Sequence, residues 1–469
     1  MLFSSLHFLY LFLPACLLCY FAVPGLRAKN IVLLLFSLVF YAWGEPVYVL
    51  LMLLVAAANW AFGLLMERLN KKMLLVLAVV FDLSCLALFK YTGFLVENLN
   101  ALLHLELPVP QIALPIGISF YTFQILSYVV DVYRGNVGVQ RSYPRFLLYV
   151  SLFPQLIAGP IVRYADVEKE LSDRKSEPEE MFYGMTRFCM GLAKKVLLAD
   201  YAGKAAAQLL NGELAAQSTL GVWFGVLLYM FEIYFDFSGY SDMAIGLGRV
   251  FGFRYPENFR LPYMAKSITE FWRRWHISLS SFFRDYLYIP LGGNRRHVIL
   301  NLAIVWALTG LWHGASWNFV LWGLYFFVLL VIERLLKKQL ERIPSIVRHI
   351  VTLLLILISW NIFYFTDASR LAMSFRVMFG AAGTGFADEQ VRIAFINNLP
   401  LLLLCIVGST PLPQIFGSTI GMLCASKDGG GRKSRAYVIV TFVFDLLLLA
   451  LCTVALVSTT FNAFLYFRF

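Results

Sequence analysis

Charge is what this sequence has least of. Asp, Glu, Lys and Arg make up 14% of its 469 residues, against 60% hydrophobic. A soluble domain carries roughly 25% charged and 45–50% apolar residues, so the shortage excludes that class and points to a polytopic membrane protein. A glycine-rich nucleotide loop and a Walker motif are missing too, as is the Gly-x-Ser-x-Gly elbow of covalent serine enzymes. No internal repeat is evident, which weakens a transporter built from two matching halves. The seven cysteines fall mostly inside apolar runs, and the one C-x-x-C spacing, Cys16 to Cys19, has no second ligand pair. Neither a metal site nor a disulfide framework is expected. Residues 1–25 lack a basic n-region and a small-residue cleavage site, so they read as a first membrane helix rather than a signal peptide.

What is present is a succession of apolar runs from 3–24 to 436–458. Spanning takes about 20 residues, which predicts about ten to twelve transmembrane helices, with the shorter runs re-entrant or buried by protein. The expected fold is all-α, one membrane domain over residues 1–469, with the motif-bearing core in 111–335. The net charge of +11 is accounted for by basic cytoplasmic loops, so no nucleic-acid partner is invoked. Arg27 and Lys29, then Arg68, Lys71 and Lys72, alternate with loops free of Lys and Arg. By the positive-inside rule the 67–72 loop is cytoplasmic and the N-terminus outside.

Three polar stretches interrupt the pattern. In 231–242, Glu232 and Asp236 share a helix face and Asp242 follows an expected break at Gly239. Carboxylates at such depth are costly unless paired or solvated; pairing with arginines or backbone donors is as good a reading as catalysis. In 266–290, Ser267 and Glu270 form a capping-box signature. Ile268, Phe271, Trp272, Trp275, Leu279, Phe282 and Tyr286 then make one apolar stripe opposite Glu270, Arg273, Arg274, Ser281, Arg284 and Asp285. This predicts an interfacial helix lying along the bilayer, with His276 at the stripe's edge. In 309–317, His313 sits between glycines and tryptophans at the turn of two apolar runs, 298–312 and 316–335. If the basic clusters Arg295-Arg296, Arg334–Arg348 and Lys427–Arg435 are all cytoplasmic, the runs form a hairpin from that side. Fifteen helical residues rise only about 23 Å, so its tip stops short of the far surface. An ionisable ring at that depth is a functional candidate by default.

With these stretches in view the chain resembles the membrane-bound O-acyltransferase family (MBOAT), closest to its alginate O-acetyltransferase branch. The matching strings are Leu114–Gln124, Phe153–Ile161, Tyr234–Asp242, Phe271–His276, Arg284–Asn294 and Leu311–Trp317. There are departures: Asn462-Ala463-Phe464 stands where family members often have Asn-Pro-Phe, and Glu232 replaces a more usual neutral polar residue. The resemblance implies that His313 is the catalytic histidine and His276 a second functional one. It also implies acetyl-CoA or another acyl thioester as co-substrate with no permanently bound cofactor, a polysaccharide acceptor, an exported hydrolase-like acetyltransferase as partner, and a multi-pass place in a bacterial cytoplasmic membrane.

An imidazole with an ordinary pKa near 6.5 can take the proton of an attacking hydroxyl, and burial favours the neutral form that a base requires. His276 or the indole N–H groups of Trp312 and Trp317 are candidates to orient His313 or the acyl carbonyl. Backbone N–H groups near Gly310 and Gly314 are candidates for the oxyanion. Arg273, Arg274, Arg295 and Arg296 could meet a donor's phosphates, although positive-inside topology explains most of them. The rivals are a D-alanyl or other acyl transferase of the same family, a transporter or flippase using Glu232, Asp236 and His313 as a pathway, and a structural scaffold for polymer export.

Overall fold

The computed structural model describes residues 1–157, 159–423, 435–458 and 464–465, and every regular element among them is a helix. The chain opens with α1 (Phe8–Ala22), α2 (Leu26–Gly44), α3 (Tyr48–Leu65), α4 (Lys71–Lys90) and α5 (Thr92–Leu103). Then come α6 (Ile118–Arg134), α7 (Tyr143–Ser151), α8 (Phe153–Leu156), α9 (Tyr164–Ser172), α10 (Pro178–Ala193) and α11 (Asp200–Leu210). The centre is α12 (Thr219–Val250), followed by α13 (Ile268–Trp272), α14 (Ile277–Phe283), α15 (Val298–His313) and α16 (Trp317–Leu335). The remainder is α17 (Lys337–Leu340), α18 (Ser345–Tyr364), α19 (Ala368–Met378), α20 (Glu389–Gly408), α21 (Leu412–Leu423) and α22 (Arg435–Ser458). Among the described residues eight helices are long and apolar enough to cross a membrane, and α1 and α15 are shorter apolar helices. The protein is thus an all-α, multi-pass membrane protein.

The outer helices expose leucine, valine and isoleucine, as lipid-facing surfaces do, whereas α12 is buried along most of its 32 residues. Two glycine pairs let α10 lie close against it. A Cβ on Gly184 would run into the Gly246 carbonyl, and one on Gly191 into the Gly239 carbonyl. Small residues at such contacts let membrane helices pack backbone to backbone. Gly239 therefore does not break the helix as its sequence context suggested; it lets α10 in.

Several apolar runs are not single spans. Residues 112–132 stay non-helical until Gly117, whose φ of +78° turns the chain into α6. The 146–162 run stops at Ser151, makes one turn ending at Leu156 and then extends, which Pro154 and Pro160 favour. The 266–290 stretch also departs from expectation. Its apolar stripe is buried as predicted from Ile268 to Phe282, but the helix is broken between Trp272 and Ile277. Ser267 caps α13 by accepting from the Glu270 N–H at 3.0 Å. Glu270 reaches back to the Lys266 N–H rather than to Ser267, and Glu333 of α16 accepts from the Ile268 and Thr269 N–H groups. Gly429–Gly431, which with nearby Lys427, Arg432, Lys433 and Arg435 form a flexible basic loop by sequence, lie outside the described residues, as do Cys424 and Asn462-Ala463, whereas Arg435 opens α22.

Candidate active site

His313 is the last residue of α15, and the turn Gly314–Ser316 leads directly into α16. The hairpin closes tightly because glycines face each other across it. A Cβ on Gly310 would meet the Phe319 carbonyl, and one on Gly323 the Trp306 carbonyl. Gly310 and Gly314 thus serve close packing; Gly314 is extended, with φ −169°, rather than freed into a left-handed turn.

A helix end leaves carbonyls without intrahelical donors and favours a cation beside them. Both needs are met from α4. Lys90 Nζ donates to the Trp312 carbonyl and, at 3.4 Å, to that of His313. The Tyr91 hydroxyl donates to the Leu311 carbonyl at 2.8 Å. Lys90 closes α4 at the end opposite the basic 67–72 loop, so the His313 turn lies toward that far end.

The imidazole of His313, 7% exposed, is walled by rings: Trp312 at 5.0 Å, Trp322 at 4.9 Å and Phe363 at 5.4 Å between centroids. It opens on a cavity of about 20 Å³ that Asp236, Phe237, Trp275, Trp322, Trp360 and Leu465 also line. That is space for about one water. Asp236 is not a bare intramembrane charge. Lys195 Nζ lies 2.6 Å from it and 2.8 Å from Asp200, and the Leu465 N–H donates to Asp236 at 3.0 Å. Pairing, the structural reading of this carboxylate, is therefore realised with a lysine and a backbone donor, on the wall of the His313 cavity. Glu232 lies against Gly203 of α11, and Asp242 is tied to Arg187 and Lys194 at 2.8 and 2.6 Å.

His276 is not at an interface edge but fully buried, at the break between α13 and α14. Its φ of +44° is in the left-handed region, which costs a non-glycine residue about 1–2 kcal/mol. Its partner is a side chain, Asn258 Oδ1, at 3.2 Å from Nδ1. Burial pushes its imidazole down to about 3, so the ring is neutral at ordinary pH. Trp312 joins the two histidines: its indole lies 5.8 Å from the His276 ring and 5.0 Å from that of His313.

The other sequence candidates part company here. Trp317 is 59% exposed and donates its Nε1–H to Asn98, away from the cavity. Trp322, five residues on, points inward with Phe319 and Phe326. Its Nε1–H is buried with no hydrogen-bond partner among the described residues. The spacing 319, 322, 323, 326 is a helical stripe that would have found it. Arg274 is bound to Glu270 and to the Arg260 carbonyl, and Arg273 is exposed. Neither lines the cavity. Among the described residues no cluster of three metal-ligating side chains occurs. Lys195, a lysine inside an apolar run, was a legible signal of its own; Asn258, in an irregular segment, carries no pattern to read.

A buried histidine thus lies at the tip of a membrane hairpin, with a second buried histidine across Trp312. Residues 137–375 match the family model "MBOAT, membrane-bound O-acyltransferase family". The chain belongs to this family, and it is a membrane O-acyltransferase. It is similar to "Probable alginate O-acetylase AlgI" of Azotobacter vinelandii, at 38% identity over 100% of both chains. It is also similar to the protein of the same name from Pseudomonas aeruginosa, at 43% over 80% of this chain and 74% of that one. "Peptidoglycan O-acetyltransferase" of Helicobacter pylori is 34% identical over 82% and 80% of the two chains.

Proposed function

We propose that this enzyme moves an acetyl group from a cytoplasmic thioester, acetyl-CoA, toward hydroxyl groups of an extracytoplasmic polysaccharide, with His313 as general base. The observation that carries this reading is the position of His313: a buried imidazole at the tip of a hairpin, opening on a small cavity. As the acceptor oxygen attacks the thioester carbonyl carbon, His313 takes the hydroxyl proton; the C–S bond then breaks and the thiol leaves with a proton. General-base catalysis of this kind is worth about 10²–10⁴-fold. Trp322, whose buried indole N–H has no hydrogen-bond partner among the described residues and which lines the same cavity, is the donor we assign to the developing oxyanion. The cavity holds about one water, so the thioester and the hydroxyl enter on a more open form of the site.

The direction of transfer is supported by Lys90, which holds the His313 turn at the end of α4 away from the basic loop. A polysaccharide acceptor is supported by the names of the relatives, alginate and peptidoglycan acetyltransferases. An exported partner protein completes delivery in this reading, and the enzyme sits in the bacterial cytoplasmic membrane. The test uses the purified enzyme in proteoliposomes, labelled acetyl-CoA on one side, and polysaccharide or exported partner on the other. Label on the acceptor, with D-alanyl thioester inert, is expected. Solute or ion flux with no acyl transfer would overturn the reading in favour of a transporter.

A further inference from the structure

The polar contacts of His276 decide which of its two nitrogens carries the proton. Asn258 sits in the irregular segment between α12 and α13 and is fully buried. Its Oδ1 lies 3.2 Å from the Ser278 backbone nitrogen, 2.8 Å from Ser278 Oγ and 3.2 Å from His276 Nδ1. Its Nδ2 lies 3.1 Å from Ser241 Oγ on α12. A backbone N–H can only donate, so the atom facing Ser278 is the amide oxygen and the amide cannot be flipped. That oxygen brings no proton to His276; the contact is a hydrogen bond only if Nδ1 brings it. A neutral imidazole has one N–H. Nε2 is then a lone pair, buried, with no donor among the described residues.

We propose that Asn258 is a positioning residue that holds His276 as the Nδ1–H tautomer, so that Nε2 accepts a hydrogen bond and cannot donate one to an acyl oxygen. The backbone supports the same assignment. Asn258 also accepts the Ile277 N–H at its own carbonyl, at 3.0 Å, so one residue fixes both the ring and the chain that leaves it. The left-handed φ of His276 is the kind of strained geometry that persists where its surroundings over-determine it. In the acyl-transfer reading, on which this role rests, the ligand for Nε2 is a hydroxyl or a water. Carbonyl stabilisation then falls to donors such as the Trp322 indole.

The chain has six histidines, few enough for nitrogen-15 NMR of histidine-labelled protein in bilayers, with His276→Gln assigning the signals by difference. The expected result is a protonated Nδ1 and an unprotonated Nε2 in the wild type. A protonated Nε2, alone or with Nδ1, overturns the proposal. Asn258→Asp keeps an acceptor oxygen, and the Ser241 hydroxyl can turn to donate to it; the tautomer should persist, with acyl transfer within about tenfold of wild type. Asn258→Leu removes the acceptor. Because a wrong tautomer alone costs a triad enzyme about 10⁴ in kcat, transfer should fall at least about hundredfold at equal folded yield, with the Nδ1–H signal lost. Equal activities of the two variants, or an unchanged tautomer in Asn258→Leu, contradict the positioning role. If the wild type transfers nothing from acetyl-CoA, the donor assignment fails while the NMR result still decides the tautomer.

Discussion

The two histidines are held in opposite ways. His313 is fixed through its backbone, by the capping of α15 from Lys90 and Tyr91, and its ring meets aromatic faces. His276 is fixed through its ring, by Asn258, in a backbone that left-handed geometry makes costly. For His313 the ring packing of Trp312, Trp322 and Phe363 shapes the pocket around the imidazole. A group that must present one fixed nitrogen gains from a side-chain partner. The difference matches the base proposed at His313 and the acceptor proposed at His276, and it can be broken from either side.

The largest disturbance should come from the far wall of the His313 cavity. Lys195→Met removes the cation between Asp236 and Asp200. Breaking a buried pair in this way costs about 3–5 kcal/mol, read as a marked drop in thermal stability in detergent. Next is Lys90→Met, which strips the cap from the His313 turn without touching the cavity. A hydrogen bond to a charged group is worth about 1.5–3 kcal/mol. Through misplacement of the base, kcat should fall about ten- to hundredfold, with KM much less affected and Lys90→Arg partly restoring the rate. Equal kcat in Lys90→Met would show that Lys90 is not needed to position His313. The smallest effect is expected from Trp317→Phe. Exposed and turned to Asn98, it should change turnover by no more than about twofold, the range of an ordinary surface substitution. A large loss there would return Trp317 to the site.

Much of this arrangement could be read from residues alone, and the exceptions have physical reasons. The hairpin, its tip and the apolar stripe of 268–282 followed from periodicity and charge. The break at His276 did not, because hydrogen bonds from Asn258 and Arg260 override the helical pattern there. Gly239 looked like a break and proved to be a helix contact, since a glycine's use as spacer or hinge depends on what faces it. That Trp317 faces outward while Trp322 lines the cavity turned on where the hairpin turn ends, a matter of one or two residues that helix-boundary reasoning does not fix. Asn258 and Lys90 act on partners 18 and more than 200 positions away, which no local pattern encodes.

The central claim is that His313 is the base. Label transfer from acetyl-CoA to the polysaccharide or exported partner, compared between wild type and His313→Ala at matched folded yield, tests it most directly. A loss of at least about 10²–10⁴-fold is expected, with helical content and thermal stability nearly unchanged. Transfer by His313→Ala at the wild-type rate would contradict it.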